Sequence, residues 1–93
     1  SLLYEGLMHY FMIQFPQRPG ALKEFVNDIL GPDDDITYFQ FAKKNSREVG
    51  SVVVGLELKN PNDIHAIKNN MNSKGFEYQY LNERHDLFTQ LIG

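Results

Sequence analysis

The 93-residue sequence has neither cysteine nor tryptophan. Without cysteine there is no disulfide framework, no thiolate ligand for zinc and no thiol nucleophile, so the fold must rest on packing alone, and the expected location is the cytoplasm. Positive charge is also scarce: nine Lys and Arg face twelve Asp and Glu, for a formal net charge of -3. Binding to nucleic acid or an anionic membrane starts from clustered cations that neutralise phosphates. Here only Lys43-Lys44 with Arg47 forms a basic run, and it reads as a solvated polar turn. No apolar run approaches the ~18 residues of a membrane helix, and no basic-then-apolar leader opens the chain. Neither nucleic acid nor membrane is an expected partner, and the composition is that of a soluble domain. The length lies just under the usual ~100 to 150 residues of a domain, so residues 1–93 are expected to form a single one. Because the sequence begins at Ser1 and turns apolar at once with Leu2 and Leu3, it reads as a piece of a longer polypeptide.

Catalytic signatures are missing as well. His9, His65 and His85 have no metal-ligand spacing, and Asp33-Asp34-Asp35 lacks the alternating ligands and distal glutamate of a calcium loop. No Gly-rich phosphate loop or GxSxG elbow occurs. No catalytic residue, metal site or bound cofactor is therefore expected in this domain.

What the sequence does hold is a regular order of apolar periodicities. LMHYFMIQF (residues 7–15) reads as a strand, with Phe11, Ile13 and Phe15 on one face and Met8, Tyr10, Met12 and Gln14 on the other. Both faces are largely apolar, so both call for a cover. Ala21, Leu22, Phe25, Val26, Ile29 and Leu30 then recur at helical spacing up to Gly31-Pro32, where glycine suits a left-handed helix end. A second strand is expected from Ile36 to about Lys43 and a third from about Val49 to Leu58, paired as a hairpin across KKNSRE. Asn60-Pro61-Asn62-Asp63 starts a second helix that ends at Gly75, and FEYQYL (residues 76–81) is the fourth strand. The tail, with Leu87, Phe88, Leu91 and Ile92, reads as a short helix or an extended arm.

Strand, helix, strand, strand, helix, strand is the α+β, ferredoxin-like βαββαβ order: a four-stranded antiparallel sheet with two helices on one face. Such a sheet leaves its other face bare, here with Tyr10, Met12, Tyr38 and Val53, which points to an oligomer or a neighbouring domain. Two ferredoxin-like functions can be set against the residues. RNA recognition needs aromatics on the central strands, and VGSVVVGLEL has none. An acylphosphatase would pair Arg18 with a strand asparagine, and no expected strand contains one.

The loop Pro16-Gln17-Arg18-Pro19-Gly20-Ala21-Leu22 has the most chemical content. Pro19 presets a helical turn, Gly20 admits close approach, and no Ser, Thr, Asp or Asn stands where a cap normally would. The uncapped N–H groups and the helix dipole suit an amino-acid carboxylate, with water or a neighbouring loop as the plainer occupant.

These same residues, FPQRPGALKEF followed by DITYFQF and GSVVVGLEL, resemble the C-terminal regulatory domain of threonine dehydratase, an ACT-like amino-acid-sensing module. The resemblance covers nearly the whole chain, with Gln17, Phe41-Ala42 and Ser51 standing where the family often has other polar groups. It implies a regulatory fragment that is not itself an enzyme. In the intact enzyme a preceding catalytic domain uses pyridoxal phosphate to convert threonine to 2-oxobutanoate and ammonia. Isoleucine and valine are the implied effectors, in isoleucine biosynthesis. Carried over by position, effector contacts are expected at Pro16, Arg18, Gly20, Ala21 and Leu22, with Tyr38, Phe39 and Phe41 as the other wall. The implied partners are the chain's own catalytic domain and further copies, as a homodimer or homotetramer. The alternative is a ligand-free oligomerisation module of the same fold.

Overall fold

A computed structural model describes residues 6–41 and 51–92. The chain runs through strand β1 (Met8–Gln14), helix α1 (Ala21–Glu24) continued by a π-helical turn (Phe25–Ile29), β2 (Asp35–Phe41), β3 (Ser51–Glu57), α2 (Asp63–Lys74), β4 (Glu77–Tyr80) and α3 (His85–Leu91). The strands form one antiparallel sheet in the order β2-β3-β1-β4. This is the ferredoxin-like α+β architecture that the periodicities predict, and the ACT-like fold that the family resemblance implies. The basic run Lys43-Lys44 with Arg47, and the hairpin turn expected there, lie outside the described residues.

The two central strands explain the sheet's composition. In β3 every residue from Ser51 to Leu56 is buried, as a strand covered on both faces must be. In the β1–β3 register Phe11 lies opposite Val54 and Ile13 opposite Val52. These four side chains point towards the helices and meet Phe25, Ile29, Ile67, Met71 and Phe76 in the main core. The helix α2 packs against β4 and against the π-helical turn, which places the first helix on the β2 side of the sheet. At its C-terminal end Gly75 takes the left-handed conformation (φ 79°), Phe76 N–H bonds to Met71 C=O and Gly75 N–H to Asn72 C=O. That paired capping motif needs a residue without Cβ strain and drops Phe76 straight into the core.

Several local expectations are corrected. Along the first helix Ala21, Phe25 and Ile29 are buried, but Leu22 and Val26 are 48 % and 46 % exposed. The widened turn, closed by Leu30 N–H to Phe25 C=O, keeps residues four apart on one line, so only one of the two apolar rows faces inward. Gly31 has no positive φ; its N–H is taken by the Asp34 carboxylate at 2.8 Å, which ends the helix without a left-handed residue. Helix α2 begins at Asp63, two residues later than Pro61, because Asn60 Oδ1 accepts from Asn62 N–H and holds residues 60–62 in a turn.

The largest correction concerns the outer face. It is not bare: α3 folds across it, and Leu87, Phe88, Leu91 and Ile92 pack with Tyr10, Met12, Tyr38, Val53 and Leu81 in a second small core. Phe88 meets the Tyr10 ring edge-on at 5.2 Å between centroids, a favoured aromatic geometry. Asn82 fixes the departure of the chain from the sheet. Its Oδ1 accepts from Tyr10 N–H at 2.9 Å and its Nδ2 donates to Met8 C=O at 2.8 Å, extending the ladder with a side chain.

Candidate functional site

Both β1 and β2 run antiparallel to β3, so they are parallel to one another and their C-terminal ends share one end of the sheet. There Gln14 lies opposite Ser51, and Phe41 opposite Val52. The loop leaving β1 and the exposed end of β2 therefore belong to the same end of the molecule. This topology supplies what periodicity alone does not, a reason for residues 16–22 and 39–41 to lie at the same end of the sheet, with β3 between their strands.

The loop is tight. Arg18 N–H bonds to Pro16 C=O at 2.9 Å, and Gly20 is left-handed (φ 79°, ψ 10°) where α1 begins. A Cβ built on Gly20 would meet nothing within 4 Å; glycine is required there by its backbone angles and not by crowding. The first turn closes through Glu24 N–H to Gly20 C=O at 2.9 Å, and no side chain caps it. Ala21 is buried and can offer a ligand only its backbone, whereas Leu22 is half-exposed beside it.

On β2 the expected aromatic wall divides. Phe39 (41 % exposed) and Phe41 (64 % exposed) lie opposite the inward residues Val54 and Val52, on the helix-bearing side, with ring centroids 6.4 Å apart. Tyr38 lies opposite Gly55 and points to the other face, where its ring meets Tyr10 at 6.3 Å. A bulge between Ile36 and Tyr38 sets this phase, since one extra residue reverses which side chains face which way. Phe39 and Phe41 thus lie on the helix-bearing side, on a strand that ends where the Pro16–Leu22 loop leaves β1, and Tyr38 faces the other way.

Arg18 does not stand open. Its guanidinium is paired with the Glu24 carboxylate, donates to Lys74 C=O at 2.9 Å, and lies 5.8 Å from the Phe76 ring centroid. The partner carbonyl is far away in sequence, and nothing in the loop itself signals it. An open cavity of about 720 Å³ is lined by Met12, Gln14, Ser51, Asn72, Glu77, Tyr78 and Gln79; none of the expected site residues lines it. Among the described residues no three His, Cys, Asp or Glu are grouped to hold a metal ion, and no helix is long and apolar enough to cross a membrane.

One buried ionisable group stands apart from the loop. His9 is 4 % exposed, with Nε2 2.7 Å from Gly6 C=O and Nδ1 2.6 Å from the Tyr80 hydroxyl. A carbonyl can only accept, so Nε2 carries the proton and Tyr80 donates to Nδ1. Lys68 Nζ lies over the Tyr80 ring at 3.8 Å. Burial, reinforced by the Lys68 charge and opposed by the Gly6 hydrogen bond, holds the His9 pKa below the ordinary imidazole value. The unfolded chain then takes up a proton that the folded chain refuses, so stability is complete above the unfolded pKa of ~6.5 and is lost as pH falls below it. Urea unfolding at pH 7.5 and 5.5 should show the loss, at most ~1.4 kcal/mol per pH unit from this group. His9→Gln should flatten it; an unaltered slope in that variant would show that His9 is not the source.

Compared with known proteins, residues 1–91 match the family model described as the C-terminal regulatory domain of threonine dehydratase. The biosynthetic L-threonine dehydratase IlvA of Halalkalibacterium halodurans is 58 % identical over 92 residues, covering 99 % of this chain and 22 % of that protein. Those of Staphylococcus aureus and Bacillus subtilis are each 50 % identical with the same coverage. The chain thus spans about a fifth of the length of the curated relatives it matches. No solved structure matches it.

Proposed function

Because this chain belongs to the family of C-terminal regulatory domains of threonine dehydratase, we propose that it senses a branched-chain amino acid, isoleucine first and valine second, on behalf of a pyridoxal-phosphate catalytic domain in the same cytoplasmic polypeptide. That domain eliminates ammonia from threonine, and the present chain supplies regulation only. The observation that carries the reading is the uncapped, glycine-opened turn at Gly20–Leu22, placed at the same end of the sheet as Phe39 and Phe41. Backbone N–H groups suit the effector carboxylate, and the half-exposed Leu22 with the two phenylalanines suits an aliphatic side chain. Pro16 shapes the turn; Tyr38 plays no part, since it faces the other way.

Copies of the domain pair through the β2 edge. With α3 over the outer face, face-to-face stacking has no open surface to use. The β2 edge, by contrast, displays Ile36, Phe39 and Phe41, and the adjoining helix displays Leu22 and Val26. A two-fold pairing of these edges gives a homodimer, or a tetramer of two such pairs. The same surface supports the second reading, a ligand-free oligomerisation module.

Thermal unfolding separates the two. At one hundred times its dissociation constant an effector stabilises the folded domain by about 2.7 kcal/mol. Gly20→Val should abolish that gain by shifting the loop out of its left-handed turn, while Asn69→Ala on the exposed side of α2 should leave it intact. If millimolar isoleucine and valine raise the melting temperature of neither the chain nor its Asn69→Ala variant, the oligomerisation module takes precedence. Ammonia release from threonine by this chain with added pyridoxal phosphate would end the regulatory reading.

A further inference from the structure

We propose that Arg18 is the positioning residue of the effector loop, and that it acts in two ways at once: it ties the loop to the C-terminal end of α2, and it neutralises Glu24 next to the uncapped turn. The inference rests on the effector reading above.

Three contacts converge on one guanidinium, namely the Glu24 carboxylate, the Lys74 carbonyl and the face of Phe76. Phe76 in turn packs on Phe15, where β1 runs into the loop, and on Phe25 in the first helix. The planar, forked donor set of arginine can serve two oxygens while stacking on a ring, and a lysine ammonium cannot reproduce that combination. The latch therefore joins the loop, the first helix and the α2–β4 corner at a single side chain.

Its second role is electrostatic. A carboxylate in the first turn of a helix is attracted to the same N-terminal amides and dipole that would receive a ligand carboxylate. Glu24 is that carboxylate. Paired with Arg18 it leaves the turn without a net competing anion; released, it repels the ligand. Stability alone gives little reason for the pair, since the two side chains are 45 % and 26 % exposed and exposed ion pairs contribute little.

Calorimetric titration with isoleucine, together with amide hydrogen exchange, tests this on the chain and three variants. Arg18→Ala should weaken isoleucine binding about fivefold. Arg18→Lys should fall between it and the wild type, and Arg18→Ala with Glu24→Gln should regain the electrostatic part of the loss. Exchange of the Glu24 amide, which closes the first turn on Gly20, should accelerate in Arg18→Ala without added ligand. If the wild type binds isoleucine and Arg18→Ala binds equally well, the positioning role falls and the effector reading stands. If the wild type binds neither isoleucine nor valine, the effector reading falls. The latch is then decided by exchange: an unchanged Glu24 amide in Arg18→Ala overturns it, and a faster one retains it.

Discussion

Replacing Phe76 with alanine should lower the unfolding free energy by about 4 kcal/mol, the usual range for emptying a buried phenylalanine site. The ring is 1 % exposed and lies within 5.4 Å of Phe15 and 6.0 Å of Phe25, centroid to centroid. Its backbone is held by the capping motif at Gly75, so the chain cannot shift to fill the cavity. Domains of this size have roughly 5 to 15 kcal/mol in hand, and each kcal/mol moves the melting temperature ~4 to 8 °C. The variant should therefore melt about 20 °C lower. Phe76→Leu, which keeps most of the volume, should recover more than half of the loss. Calorimetric melting checks both, and a drop under ~5 °C for the alanine variant would mean that the aromatic cluster collapses around the gap.

Gly55→Val should have the next largest effect, from crowding. A Cβ at Gly55 would stand 2.8 Å from Tyr10 Cε2 and 2.9 Å from Tyr38 Cβ. The tyrosine ring can swing, but Tyr38 Cβ is anchored to the backbone of β2, so one strand must move. Overpacking of this kind costs about 1 to 3 kcal/mol. The effect should also travel outward: a displaced Tyr10 loses its edge-on contact with Phe88, and α3 loosens from the sheet. Protease digestion should then cut within residues 84–92 at concentrations that leave the wild type intact. A variant as stable and as resistant as the wild type would refute the crowding account. Gly20 offers the contrast, because its surroundings are open and substitution there acts only through the backbone angle.

The element order was legible in the sequence because each strand and helix carries its own period, and the double-sided apolar character of β1 announced that both sheet faces would be covered. What covers the outer face was less legible. Leu87, Phe88, Leu91 and Ile92 fit an arm as well as a helix, and only their docking on Tyr10 and Val53 decides the matter. The first helix held two interleaved apolar rows, and composition cannot say which faces inward; the widened turn at Phe25–Ile29 selects Ala21, Phe25 and Ile29. Alternation along β2 already puts Tyr38 on the face opposite Phe39 and Phe41; its place in the effector wall came from the family resemblance, and the pairing of Tyr38 with Gly55 shows the two faces apart. Pro16, Gly20 and Leu22 were legible as a loop with unusual needs. The engagement of Arg18 was not, since it depends on a carbonyl contributed by the end of another helix.

The strand order β2-β3-β1-β4 also bears on synthesis from the ribosome. The strand that ends up in the middle is made first, and neither of its neighbours is the next one in the chain. While β2 is being translated, Phe11 and Ile13 have no strand to lie beside; Val52 and Val54 come later, and Tyr80 later still. The nascent segment must carry an unpaired aromatic strand until β3 and then β4 arrive on either side of it, and Asn82 with α3 then closes the outer layer.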